Sequence, residues 1–179
     1  MRYGCLETGL STTLNTKLFG VIVLIFFLLS KNVKIIHAPI TFKDDHSDSP
    51  QSSFGILANV VGGGLFKASS WGGAICDSLT PAPGDLVVKG KKGLCAFSNT
   101  DLEILLLENG IENIALGGFL TNCCVESTMR TAYEKKFNVI TLKDCTAATS
   151  QAEYEASVGA TYGMFSTVMD SESFISECA

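Results

Sequence analysis

The sequence predicts a single α/β domain organised around a parallel sheet, and two stretches carry that prediction. Ile111 to Leu116 reads as an apolar strand, a turn follows at Gly117-Gly118, Cys123 to Phe137 supplies a helix of about four turns, and Asn138 to Leu142 reads as a second strand. Strand, helix and strand within about thirty residues form a βαβ crossover, which joins parallel neighbours. Upstream, Leu86-Val87-Val88, a helix over Asp101 to Glu108 and the strand at Ile111 repeat the same unit. A length of 179 residues suits one domain with a sizeable core, and 46% hydrophobic residues with only four prolines argue against long disorder.

Taken in order, the elements begin with an uncharged run, Leu18 to Leu29, between Lys17 and Lys31. A spanning helix needs about twenty apolar residues, so this run is short for one. Its length fits a signal-peptide core flanked by Arg2 and Lys17, but no small-x-small cleavage site follows. It is read as a buried helix or strand, with a membrane anchor through residues 18–29 and a truncated or mis-joined reading frame as the alternatives. Val33 to His37 is a short β-branched strand, and His37 at its end is read as a structural hydrogen-bonder. Lys43 to Ser53 follows as a mobile polar loop carrying Asp44, Asp45, His46 and Asp48. With only two histidines and no repeated ligand spacing, no metal site is expected there.

Gly62-Gly63-Gly64 marks a flexible bend and not a phosphate cradle, because neither Lys-Ser nor Lys-Thr follows it. Pro81 to Asp85 forms a turn into the strand at Leu86. Thr100 or Asn99 caps the helix over Asp101 to Glu108, and Asn109-Gly110 ends it. Both βαβ units end their first strands at one edge of the sheet, so Lys91 and the cysteines at 123 and 124 are brought to the carboxyl edge, where open α/β sheets bind ligands.

Composition narrows the partners. A net charge of −5 and the lack of a basic cluster with interleaved aromatics exclude a nucleic-acid partner. Seven cysteines without framework spacing or CxxC pairs read as reduced thiols in a cytoplasmic protein, neither bridged nor bound to zinc. No metal and no cofactor is expected.

Gly117-Gly118-Phe119-Leu120-Thr121-Asn122-Cys123-Cys124 is where chemistry is expected. A strand running into a Gly-containing turn, with cysteine opening the next helix, surrounds a thiol with free amides and the positive end of the helix dipole, conditions that favour a thiolate. Free cysteine is also among the most buried residue types, so packing alone is the competing reading.

The segments Gly90-Lys91-Lys92-Gly93-Leu94-Cys95-Ala96-Phe97 and Gly118 to Tyr133, the latter reading GFLTNCCVESTMRTAY, closely resemble the isochorismatase-like cysteine hydrolases. The resemblance extends to Val33 to Phe42 and to Gly163 to Ser166, covering residues 33 to 170. It implies a Rossmann-like three-layer sandwich with a central parallel sheet, a small-molecule substrate such as an amide, and a homo-oligomer. It makes residues 33–179 the hydrolase domain and 1–32 a divergent N-terminal segment. By motif, Cys124 is the nucleophile and Cys123 packs at the helix start. The family lysine falls on Lys91, with Lys89 and Lys92 as alternative registers that otherwise read as solvated loop charges. The resemblance also implies a cis peptide between Phe119 and Leu120, and an oxyanion hole built from the backbone N–H groups of Leu120 and Cys124. It places Trp71 and Phe66 over the pocket or against a neighbouring subunit.

One part of the family pattern has no counterpart. The family's catalytic aspartate ends its first strand, whereas residues 1–32 hold no aspartate and only Glu7, so the first strand is expected to be missing or altered. A general base must come within about 2.6–3.2 Å of its proton, or reach it through one water, so a distant carboxylate is no substitute. Two functions follow: a cysteine hydrolase of small amide-like compounds, or a catalytically inactive relative that binds ligand or forms oligomers, with anchorage at a membrane through residues 18–29 as one form of it.

Overall fold

The computed structural model describes residues 21–27, 33–50 and 54–178. Among them, β1 (Val21–Phe27), β2 (Val33–Pro39), β3 (Leu86–Val87), β4 (Asn113–Phe119), β5 (Asn138–Ala147) and β6 (Thr167–Met169) form one sheet in the order β3-β2-β1-β4-β5-β6. The parallel pairs are β2 with β3, β4 with β5, and β5 with β6. The helices are α1 (Gly55–Gly62), α2 (Leu102–Glu108), α3 (Glu126–Glu134), α4 (Gln151–Ala156) and α5 (Ser171–Cys178).

The two-residue period of the strands sorts their side chains into layers. Ile114 and Leu116 of β4, with Ile36 and Ala38 of β2, meet Leu102 and Leu106 of α2 and Met129 and Ala132 of α3 in the main core. Ala115 and Leu142 point the other way and pack with Phe174 of α5. Helices therefore cover both faces, giving the expected three-layer α/β arrangement. Along α3, Val125, Thr128, Met129 and Ala132 recur at helical spacing and are buried. Burying a Leu or Met side chain contributes about 1.5–3 kcal/mol. That exceeds the roughly 0.7 kcal/mol per residue by which Thr128 and Thr131 disfavour a helix, so packing, not propensity, holds α3.

The sheet departs from an all-parallel one at its centre. β1 occupies the place between β2 and β4, and it runs antiparallel to both. The run expected to be a buried helix or strand thus supplies a strand, and residues 18–20 and 28–29 of it lie outside the described residues. Val21 pairs with Pro39, and Ile22 with Ala38 and Gly118, whereas Phe27 pairs with Val33 and Asn113. The start of β1 therefore lies at the carboxyl edge of the five parallel strands and its end at the opposite edge. Among the described residues β1 therefore ends, at Phe27, on the side away from the carboxyl edge. The expected domain boundary, between residues 32 and 33, falls between two paired strands. Among the described residues no helix is long and apolar enough to cross a membrane.

Element boundaries shift modestly from expectation. β4 runs on to Phe119 and β5 to Ala147, and the helix expected from Cys123 to Phe137 starts as a wide turn at Thr121 and ends at Glu134. In that turn the Val125 amide donates to the Leu120 carbonyl at 3.1 Å, five residues back, the spacing of a π-bulge. The loop after β2 is knitted together: Asp44 accepts the Ser69 amide at 3.0 Å, Asp45 the Ser47 amide at 2.9 Å and Asp48 the Lys43 amide at 2.8 Å. His46 is buried against the Phe42 ring, with centroids 5.3 Å apart. His37 approaches Asp85 at 3.3 Å, and the same Asp85 oxygen accepts the Ala82 amide at 2.7 Å, which fastens the turn before β3 to β2.

Candidate active site

Strand β4 ends at Phe119, the Phe119–Leu120 peptide bond is cis, and the wide turn Thr121–Val125 follows at once. The Leu120 carbonyl accepts the Cys123 amide at 3.2 Å as well as that of Val125, so it is turned into the start of the helix. Tyr162, wholly buried, donates its hydroxyl to the Thr121 carbonyl at 2.7 Å and ties the turn to the segment after α4. Cys124 is half-buried, and its side chain lines a cavity of about 250 Å³ at the carboxyl edge of the sheet.

Lys91 reaches the same cavity from the loop after β3. Gly90 makes this loop possible: its φ is +87°, and a Cβ there would lie 2.6 Å from the Asn99 carbonyl oxygen. Any other residue meets both a left-handed backbone and a clash with main chain. On the other side of the glycine, the Lys89 amide donates to Asp101 at 2.7 Å and holds the loop to the start of α2. The Ala96 amide donates to Thr128 at 3.0 Å, and the Cys95 thiol to Thr131 at 3.2 Å, so the loop's far end lies along α3. Loop and Cys124 turn are thereby held by the same helix.

The three candidate lysines part company. Lys91 is 3% exposed and donates to the Gly93 carbonyl at 2.8 Å. Lys89 is exposed. Lys92 turns outward, donating to the Thr41 carbonyl and pairing with Asp48 at 2.7 Å. Burial holds the Lys91 ammonium below its ordinary value of 10.5, while the charge of Cys124, and after it Cys95, pulls in the opposite direction. Lys91 and Cys124 line one cavity, and a negative charge on Cys124 favours the ammonium form of Lys91.

Cys123 behaves differently from its neighbour. It does not line the cavity, and its thiol is pushed above its ordinary value of 9.0, first by burial and then by the charges of Cys124, Glu153 and Glu126. Since the thiolate is the reactive form, Cys123 stays unreactive through neutral pH. Peptide mapping after brief iodoacetamide treatment is expected to show Cys123 labelling still climbing above pH 9; rapid labelling of Cys123 at pH 7 contradicts this.

Beyond Lys91, Cys124, Phe119, Leu120 and Phe66, the cavity lining was not singled out from the sequence. Ile40, Ile56, Leu57, Asn59, Val60, Leu65 and Phe66 come from the end of β2, from α1 and from the bend after it, with Leu94, Phe119, Leu120 and Thr149 completing the lining. The Ile56, Leu57, Val60 spacing is a helical signal that locates α1, and Gly63 and Gly64 end that helix. Phe66 does belong to the cavity as expected for its region, whereas Trp71 is 61% exposed and does not line it. Among the described residues, the lining carries no carboxylate, and no group of three or more metal-ligating side chains is present.

Comparison with known proteins identifies the family and the fold. Residues 24–173 match the family model for the isochorismatase domain. The chain belongs to the isochorismatase family. The match starts inside β1, so residues 24–27 of that strand fall within the matched region. A ureidoacrylate amidohydrolase of Methylobacterium radiotolerans is 40% identical over 82 residues, 46% of this chain and 31% of that protein. The chain thus spans about a third of the length of the curated relatives it matches. Among solved structures, an isochorismatase-like hydrolase from Alkaliphilus metalliredigens superposes with a TM-score of 0.59 at 32% identity, covering 62% of this chain and 61% of that one. An N-carbamoylsarcosine amidase from Thermoplasma acidophilum superposes with a TM-score of 0.51 at 28% identity, covering 58% of each chain.

Proposed function

We propose that this chain is a cysteine hydrolase that cleaves the C–N bond of a small amide, with Cys124 as nucleophile and Lys91 as its charged partner. The observation that carries the reading is that these two side chains, and no other titratable groups among the described residues, line one cavity at the carboxyl edge of the sheet. Family membership and the amidohydrolase and amidase relatives support it.

The chemistry runs in two halves. The Cys124 sulfur attacks the carbonyl carbon, a C–S bond forms, and negative charge grows on the carbonyl oxygen. Backbone N–H groups of Leu120 and Cys124 receive that charge, and the Lys91 ammonium stabilises first the thiolate and then the developing anion, an effect strengthened where water is excluded. The proton given up by the thiol passes to a water molecule, the C–N bond breaks as that water protonates the departing nitrogen, and a second water hydrolyses the thioester to acid and free thiol.

The lack of a carboxylate in the described lining favours a second reading, an inactive relative that binds the same compounds without turning them over. Acid quench during turnover of a panel of small amides, followed by intact-mass and peptide analysis, separates the two. Released ammonia together with an acyl adduct on Cys124 is the expected result. A folded protein that releases no ammonia and carries no adduct on Cys124 sinks the hydrolase reading.

A further inference from the structure

The lining also constrains what is bound. Ile40 and Val60 are buried and join Phe42 and Phe66 in a small core of their own, so this part of the cavity wall is a packed apolar surface, with the more exposed Ile56 and Leu65 beside it. Leu94 adds to it from the Lys91 loop. Among the described residues Lys91 supplies the only cation of the lining, and that cation is already engaged, donating to the Gly93 carbonyl and favoured by negative charge on Cys124.

Asn59 and Thr149 add only a neutral amide and a hydroxyl to the lining, so a substrate carboxylate placed against this wall would lose its hydration without gaining a charged partner among the described residues. It could take Lys91 only in competition with the cysteine. An apolar acyl group meets neither cost, and a volume of about 250 Å³ lies just below the range usual for ligand pockets, roughly 300 to 1,000 Å³. We infer that the substrate is a small, uncharged amide whose acyl group is a compact branched or cyclic hydrocarbon, and that carboxylate-bearing amides are poor ligands. The inference rests on the hydrolase reading only in setting the amide beside Cys124; the discrimination against carboxylates belongs to the wall.

Two matched ligands test it: 4-methylpentanamide and succinamate, in which a carboxylate replaces the terminal isopropyl group. Calorimetric titration of the full chain carrying Cys124→Ala is expected to show 4-methylpentanamide binding roughly 100-fold more tightly than succinamate, with 3-ureidoacrylate as weak as succinamate. Leu94→Arg, which adds a cation to the lining, is expected to narrow or reverse the preference. Equal or tighter binding of succinamate or 3-ureidoacrylate overturns the inference, as does a folded protein that binds none of the three. Ammonia release by the unsubstituted chain keeps the two ideas apart. A neutral amide that binds without being hydrolysed sinks the hydrolase reading and leaves this inference standing, whereas preferred hydrolysis of succinamate does the reverse.

Discussion

Cys124→Ala is expected to lower amide hydrolysis by about four orders of magnitude or more while leaving the chain folded. Removing a nucleophile forecloses the covalent route, and in hydrolases of this logic a single such loss costs nearly as much as removing its partners too. The adjacent Cys123 provides the control. It lies outside the cavity, and burial and nearby negative charge keep it as a thiol, so Cys123→Ala is expected to retain activity within a few-fold. Ammonia release measured on both variants, with circular dichroism to confirm folding, decides the matter. Loss of activity in the Cys123 variant with retention in the Cys124 variant would reassign the nucleophile and displace Lys91 from its proposed role, because only Cys124 shares its cavity.

What the residues disclosed in advance depended on how local the determining physics was. The β4 and β5 strands and the helix between them were legible because each is set by short-range pattern, apolar runs and a Gly-containing turn, whereas Lys91 was picked out from Lys89 and Lys92 by the family motif that its segment resembles. The cysteine was legible for the same reason, as strand, turn and helix meet within a few residues. The apolar wall was not, since it is assembled from β2, α1, the bend after α1 and the Lys91 loop, which are brought together only by tertiary packing. The direction of β1 was equally hidden. An apolar run of this kind carries no mark of strand polarity, and the antiparallel pairing of Val21 with Pro39 and Phe27 with Val33 emerges only in the folded sheet. Reversed in this way, β1 ends at Phe27 away from the carboxyl edge, and Lys91 and Cys124 are the titratable groups of the described lining.

Lys91→Met is expected to make the protein slower and more stable at once. Activity should fall by about 10²- to 10³-fold, the loss that follows removal of a preorganised charge from a buried transition state. Stability should rise by about 1–2 kcal/mol at neutral pH, because an ammonium 3% exposed is replaced by an apolar side chain of similar reach, and that gain exceeds the single hydrogen bond to Gly93 that is lost. The pH dependence follows from the direction of the shift. Burial sets the folded-state value of Lys91 below the 10.5 of the unfolded chain, so between the two values the unfolded state binds more protons and native stability rises with pH. Below that window the cost of the buried charge is present in full; as pH climbs towards 10.5 it disappears. The advantage of the Met variant should therefore be constant around neutrality and shrink on the alkaline side. Urea unfolding of both proteins at pH 7 and pH 10 tests this, and a variant less stable at pH 7, with a gap that pH leaves unchanged, would show that the ammonium is a stabilising element and not a charge retained for chemistry.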